Sequence, residues 1–176
     1  MDIQLAEAVK NRKMDSGHWL YLYDNHERYI EDLLAFIETG IQAGSHIILV
    51  ENDRNFLKLK YILKCENKEG LLKNIHFKNN FDFYFHNGDF HIQSIVQDFE
   101  LSVQSIKDDS KYSIRTWAHV EWRDAEEIMD KIVLYEKISD KLVQEEGLLS
   151  ICAYHSGRTP AAIQDKLGNC HDAIFY

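Results

Sequence analysis

No stretch of the chain approaches the ~20 consecutive apolar residues that a membrane-crossing helix needs. The opening segment, Met1 to Met14, carries Asp2, Glu7, Lys10, Arg12 and Lys13 where a secretion signal would have an apolar run. Cysteine is scarce. Cys65, Cys152 and Cys170 are odd in number and widely spaced, which fits reduced thiols of a cytoplasmic protein better than a disulfide framework. Proline occurs once, at Pro160, and no Gly/Ser-rich linker, repeat or low-complexity tract interrupts the chain. The 176 residues are therefore expected to form one domain, with residues 1–16 as an N-terminal helical extension. Basic residues are in the minority, 20 Lys+Arg against 29 Asp+Glu, for a formal net charge of −9. That balance argues against a protein that tracks a nucleic-acid backbone, which needs clustered cations. A hydrophobic fraction of 45% with 12% aromatics is enough for a core and too much for a disordered chain.

Short apolar runs alternate with longer amphipathic ones, the pattern of strands crossing over through helices. The runs His18–Tyr23 and His46–Val50 lack polar alternation, as strands covered on both faces do. Phe81–Phe85 alternates and reads as a further strand, followed by a turn at His86–Asp89. Tyr112–Ala118 and Leu148–Tyr154 complete the buried set, and the tail from His171 to Tyr176 reads as an edge strand. Between them, Ile30, Leu33, Leu34, Ile37 and Ile41 recur at helical spacing, as do Ile92, Ile95, Val96, Phe99, Val103 and Ile106. A further helix is expected from Asn55 to Glu66, and a long one with Ile128, Ile132, Tyr135 and Leu142 on its apolar side. Asp24 with Glu27, and Asp124 with Glu127, have capping-box spacing, and Pro160 suits the first position of a last helix. The expected fold class is α/β: a mostly parallel central sheet with helices on both faces.

In such sheets ligands bind outside the carboxyl ends of the strands. Those ends carry Tyr23-Asp24, Glu51-Asn52-Asp53, His86-Asn87, His119 to Trp122, and Tyr154-His155. A phosphate-binding loop needs glycines and a lysine after the first strand. Asp24-Asn25-His26-Glu27-Arg28-Tyr29 stands there instead, and none of the eight glycines is followed by lysine. Conventional ATP hydrolysis is therefore not expected, although Ile47–Glu51 has the look of an apolar strand ending in a magnesium-binding carboxylate. The nine histidines are dispersed along the chain, with no Cys-x-x-Cys and no His-Glu-x-x-His, so no metal site is expected. Only His171 beside Cys170, and Cys152 near Tyr154, are suggestive neighbours, and Cys152 reads as a packed core residue. No Gly-x-Ser-x-Gly elbow is present. Trp117, Trp122, Tyr23 and Tyr154 fall near strand ends beside Arg115 and Glu121, as the walls and polar groups of a small-molecule pocket would.

Several segments, in order, resemble the MEDS domain, a sensory module named for methanogen and methylotroph proteins and for the dichloromethane-responsive regulator. His18 to Tyr23 resembles the family's opening strand, and Gly44 to Glu51 its second. Arg115, His119 and Trp122 fall where the family has Arg, Glu and Trp, with Glu121 nearby. Tyr135-Glu136, Ile151 to Tyr154 and His171 match a helix pair, a Cys-x-Tyr strand and a late histidine; a proline that usually follows is Asp172 here. The resemblance implies a RecA-like fold related to circadian-clock-type ATPases but without a phosphate loop, and a sensor of small hydrocarbon derivatives. The expectation is a cytoplasmic, non-enzymatic signalling module with no cofactor. It would bind a small, largely apolar ligand through Tyr23, Glu51, Arg115, His119, Trp122 and Tyr154, with His18 and His171 as further candidates. His18, starting its strand, would stand at the opposite end of the sheet. Its expected partners are a histidine kinase or transcription regulator and a second copy of itself, with neither nucleic acid nor membrane. A divergent ATPase or phosphotransferase using Glu51 and Arg115, and a ligand-free interaction protein, are the alternatives.

Overall fold

The apolar runs become the strands of one sheet. The computed structural model describes residues 4–11, 15–109 and 112–176. Its strands are β1 (Gly17–Tyr23), β2 (Ser45–Glu51), β3 (Ile75–Asn79), β4 (Ser113–His119), β5 (Leu149–His155) and β6 (Ala173–Phe175). They form a six-stranded sheet in the order β3-β2-β4-β5-β1-β6, and every neighbouring pair is parallel. The helices are α1 (Leu5–Lys10), α2 (His26–Gln42), α3 (Asp53–Cys65), α4 (Asn80–Phe85), α5 (Ile92–Asp109), α6 (Ala125–Glu146) and α7 (Ala161–Gly168). Among the described residues, no helix is long and apolar enough to cross a membrane.

Strand alternation divides the core into two layers. Trp19, Tyr21, Tyr23, Ile47, Leu49, Trp117 and Ile151 meet α1, α2 and α3 on one face. Leu20, Leu22, Ile48, Val50, Cys152 and Tyr154 meet α4 to α7 on the other. Both faces are covered, which is why the strands read as continuous apolar runs. Helix α1 is tied to α2 through Asp32, whose carboxylate accepts from Ala6 N at 3.2 Å and from Tyr21 Oη at 2.6 Å.

Three local expectations are corrected. Phe81–Phe85 lies in helix α4, not in a strand, because the Asn79 side chain caps the helix by accepting from Phe81 N and Asp82 N. Phe83, Tyr84 and Phe85 are consecutively buried, a pattern that strand alternation does not serve. The strand lies just before it, as β3 at the sheet edge, and its residues are only partly covered. His86 and Asn87 consequently do not end a strand. Asn25, not Asp24, is the N-cap of α2, accepting from Arg28 N at 3.0 Å. Pro160 sits at the N-cap of α7, one residue earlier than expected. At α6, Ile128 N donates to Asp124 O at 3.2 Å; the Glu127 side chain lies outside the described residues.

Gly17, at the start of β1, has φ +138°, and a Cβ there would meet Trp19 Nε1 at 2.9 Å. Gly44, before β2, has φ +85° with nothing within 4 Å. Gly17→Ala is expected to lower the unfolding free energy by about 1–3 kcal/mol, from backbone strain and the clash together. Gly44→Ala, with strain alone, is expected to cost about 1 kcal/mol. Urea unfolding of both variants checks the order, and a larger loss at Gly44 would contradict it.

Candidate functional site

The chain leaves β2 toward the β3 edge through α3, on one face of the sheet, and leaves β4 toward β5 through α6, on the other. The carboxyl ends of adjacent β2 and β4 therefore diverge, which opens a crevice between them. Glu51 ends β2 and His119 ends β4, so the topology places these two side chains at the crevice. Tyr23 ends β1 and comes in from the same face.

A continuous buried hydrogen-bond chain runs through this point. Trp117 Nε1 donates to Tyr29 Oη at 2.8 Å, and Tyr29 Oη donates to Glu51 Oε2. Glu51 Oε1 accepts from His119 Nδ1 at 2.6 Å, from Asn55 Nδ2 at 3.1 Å and from the backbone N–H of Asn52 at 2.8 Å. His119 Nε2 lies 2.8 Å from Tyr23 Oη. With Nδ1–H donated to the carboxylate, His119 turns its other ring nitrogen, Nε2, to the Tyr23 hydroxyl. Glu51 is fully buried, a cost that its full complement of donors offsets. Burial first, and the Glu51 charge second, push the hydroxyls of Tyr23 and Tyr29 above the ordinary tyrosine range, so both remain donors at neutral pH.

The outer end of this chain lines an open cleft of about 580 Å³. Tyr23, His119, His26, Asn55, Glu121 and Arg158 are among its walls. Arg158 Nη1 donates to Glu121 Oε1 at 2.8 Å across its edge.

Of the residues expected to share one site, Tyr23, Glu51 and His119 converge there. Arg115 does not. It sits early in β4 with its side chain beside α2, Nη1 3.4 Å from Thr39 Oγ1 and its guanidinium 5.9 Å from the Phe36 ring. Trp122 and Tyr154 belong to the opposite core layer, with ring centroids 5.7 Å apart. Tyr29 and Asn55 complete the chain without having been in the expected set, and Trp117, expected as a pocket wall, joins it from within the core. Tyr29 and Asn55 stand on helices, where only the docking of α2 and α3 brings them to Glu51.

His18 and His171 form a second group on that opposite face. Their rings lie 4.0 Å apart, beside Cys152 and Glu136. His18 Nε2 is 3.2 Å from Cys152 Sγ and 3.3 Å from Glu136 Oε2. The Tyr154 hydroxyl donates to Glu136 Oε1. Burial alone would raise the Glu136 pKa, but the His18 hydrogen bond, the charges of His171 and His18, and the Tyr154 hydroxyl together hold it below the usual carboxylate range. Burial opposes charge on His18, yet Glu136 outweighs it and raises the imidazole. Burial lowers His171 and, with Glu136, pushes the Cys152 thiol well up. The histidines that are scattered in sequence thus gather two at a time in space, with Cys152 among them.

A family model described as MEDS, methanogen/methylotroph, DcmR sensory domain, matches residues 17–172. The chain belongs to the MEDS family. The match spans β1 to β5 and stops just before β6. It contains both buried groups of this MEDS domain. No curated protein matches the chain. A sensory, regulatory role follows from the family.

Proposed function

We propose that this MEDS domain is a non-enzymatic sensor whose small ligand occupies the cleft at the carboxyl ends of β2 and β4. The observation that carries this reading is the Trp117–Tyr29–Glu51–His119–Tyr23 chain, open to the cleft at Tyr23 and His119 and sealed in the core at Trp117. A ligand group bonding to Tyr23 or His119 changes which partner each can satisfy. That change reaches α2 through Tyr29 and α3 through Asn55. The outer face of α3 exposes Leu57 and Tyr61, one helical turn apart, which suits contact with a histidine kinase or transcription regulator.

The cleft walls are mostly polar, with Tyr23 and Phe81 as aromatic exceptions. They favour a small hydrocarbon derivative bearing a hydroxyl, amine or carboxyl group over a wholly apolar one. Both Glu51 oxygens are engaged by protein donors, which counts against a magnesium-binding role and hence against an ATPase.

Calorimetric titration with a panel of small alcohols, amines and carboxylic acids, and separately with Mg-ATP, tests the reading. A member of the panel is expected to bind, to bind about tenfold more weakly to Arg158→Ala, and to alter amide exchange along α3. Micromolar Mg-ATP affinity lost in Glu51→Gln, or a panel that neither binds nor alters α3, would overturn it.

A further inference from the structure

Away from the cleft, in the opposite core layer, four ligand-type side chains from distant parts of the chain meet. His18 lies on β1, Glu136 on α6 and Cys152 on β5, while His171 follows α7. One donor atom from each lies within 4.8 Å of the others. The side chains of His18, Glu136 and His171 are fully buried, and Cys152 is 3% exposed. A tetrahedral divalent ion with bonds of about 2.0–2.3 Å holds its donors about 3.3–3.8 Å apart. His18 Nε2 to Glu136 Oε2 is 3.3 Å, Cys152 Sγ to Glu136 Oε2 is 3.4 Å and His171 Nε2 to Glu136 Oε2 is 3.5 Å. His18 Nε2 to Cys152 Sγ is 3.2 Å, just under that range.

The hydrogen-bonding state of His171 points the same way. Its Nδ1 lies 2.7 Å from the carbonyl oxygen of Leu167, which can only accept, so Nδ1 carries the hydrogen. On a neutral ring Nε2 is then a bare lone pair. That atom is buried without a hydrogen-bond partner and faces a carboxylate oxygen. A cation placed between these two atoms, a proton or a metal ion, removes the opposition of two acceptors in a dry interior.

The surroundings are those of metal ligands. His171 is oriented by a backbone carbonyl, His18 Nδ1 stands 3.5 Å from Asp140 Oδ1, and Glu136 Oε1 is taken by the Tyr154 hydroxyl. An outer cavity of about 190 Å³, lined by Asp140, Cys170, His171 and Asp172, adjoins the group on the His171 side. A thiolate and a carboxylate neutralise a divalent charge, so the filled site carries no net charge into the core.

We propose that His18, Glu136, Cys152 and His171 bind a borderline divalent cation of the Zn²⁺ class. Two imidazoles, one thiolate and one carboxylate suit such an ion and do not suit Mg²⁺ or Ca²⁺. Four protein ligands leave no open position, so the ion acts structurally. It fastens β1, β5, α6 and the segment after α7 to one another, independently of the cleft and of the sensing role assigned to it.

The test uses the full chain, stripped with a chelator and titrated with Co²⁺. One Co²⁺ per chain is expected, with intense tetrahedral bands in the visible and a thiolate-to-cobalt charge-transfer band in the near ultraviolet. Zn²⁺ is expected to displace it and to raise the melting temperature. Cys152→Ser is expected to abolish the charge-transfer band, and His171→Ala to weaken binding at least about tenfold. Should Cys152→Ser fail to fold, the band is read in the Cys65→Ser/Cys170→Ser double variant, whose remaining thiol is Cys152. The absence of tetrahedral bands at stoichiometric Co²⁺, persistence of the charge-transfer band in Cys152→Ser, or its absence from the double variant would overturn the site.

Discussion

Glu51→Ala is expected to lower the unfolding free energy by about 3–5 kcal/mol, because it strands the donors that a buried carboxylate satisfies. The Tyr29 hydroxyl, the Asn55 amide and His119 Nδ1 all point at Glu51 in a region where Glu51 and Tyr29 have no solvent exposure. Removing the acceptor leaves each donor with its desolvation cost and no partner. Glu51→Gln keeps the volume and one acceptor oxygen but turns an amide NH₂ toward at least one of these donors. It is expected to cost less, about 1–3 kcal/mol. Urea denaturation followed by circular dichroism gives both numbers. A loss under about 1 kcal/mol for the alanine variant would mean that water or rearrangement replaces the carboxylate, and the buried network would not be the rigid element the sensing reading needs.

Trp117→Ala is expected to be as damaging, about 3–5 kcal/mol, for a different reason. Trp117 is fully buried at the centre of the layer beneath α2, with Tyr21, Tyr29 and Phe36 rings at 5.9, 5.5 and 5.4 Å. Truncation opens a cavity that three other aromatic rings cannot fill without leaving their own partners. Trp117→Phe retains most of the packing and deletes only the donor to Tyr29, for an expected cost of about 1–2 kcal/mol. Combining Trp117→Phe with Glu51→Gln tests whether the chain is continuous. The two sites share Tyr29, so their effects should depart from additivity by about 0.5 kcal/mol or more. Strict additivity would show that the Tyr29 hydroxyl does not couple them.

The α/β class was legible because a parallel sheet covered on both faces needs uninterrupted apolar strands, and His18–Tyr23 and His46–Val50 are such runs. The meeting of Tyr23, Glu51 and His119 was legible because each ends a strand, and the carboxyl ends of parallel strands share one edge of the sheet. Arg115, Trp122 and Tyr154 lie close to strand ends along the chain, but the fold does not bring them to those three. Arg115 lies four residues before the end of β4, which carries its side chain back beside Thr39. Tyr154 neighbours His155 at the end of β5 but points to the other face, where its hydroxyl reaches Glu136. Phe81–Phe85 misled for a related reason: its alternation has the period of a strand, while the Asn79 cap and three consecutive buried rings belong to a helix.

Sequence alone thus determined the class of fold, the absence of a glycine cradle after β1, and the polar groups at the ends of β1, β2 and β4, since all three depend on local pattern and composition. Only the tertiary structure decided who meets whom. Tyr29 reaches Glu51 from 22 residues away, and His18 reaches Cys152 across 134. Those meetings depend on strand order, register and the seating of helices against the sheet, which arise from burial summed over the whole chain and leave no local spacing to read.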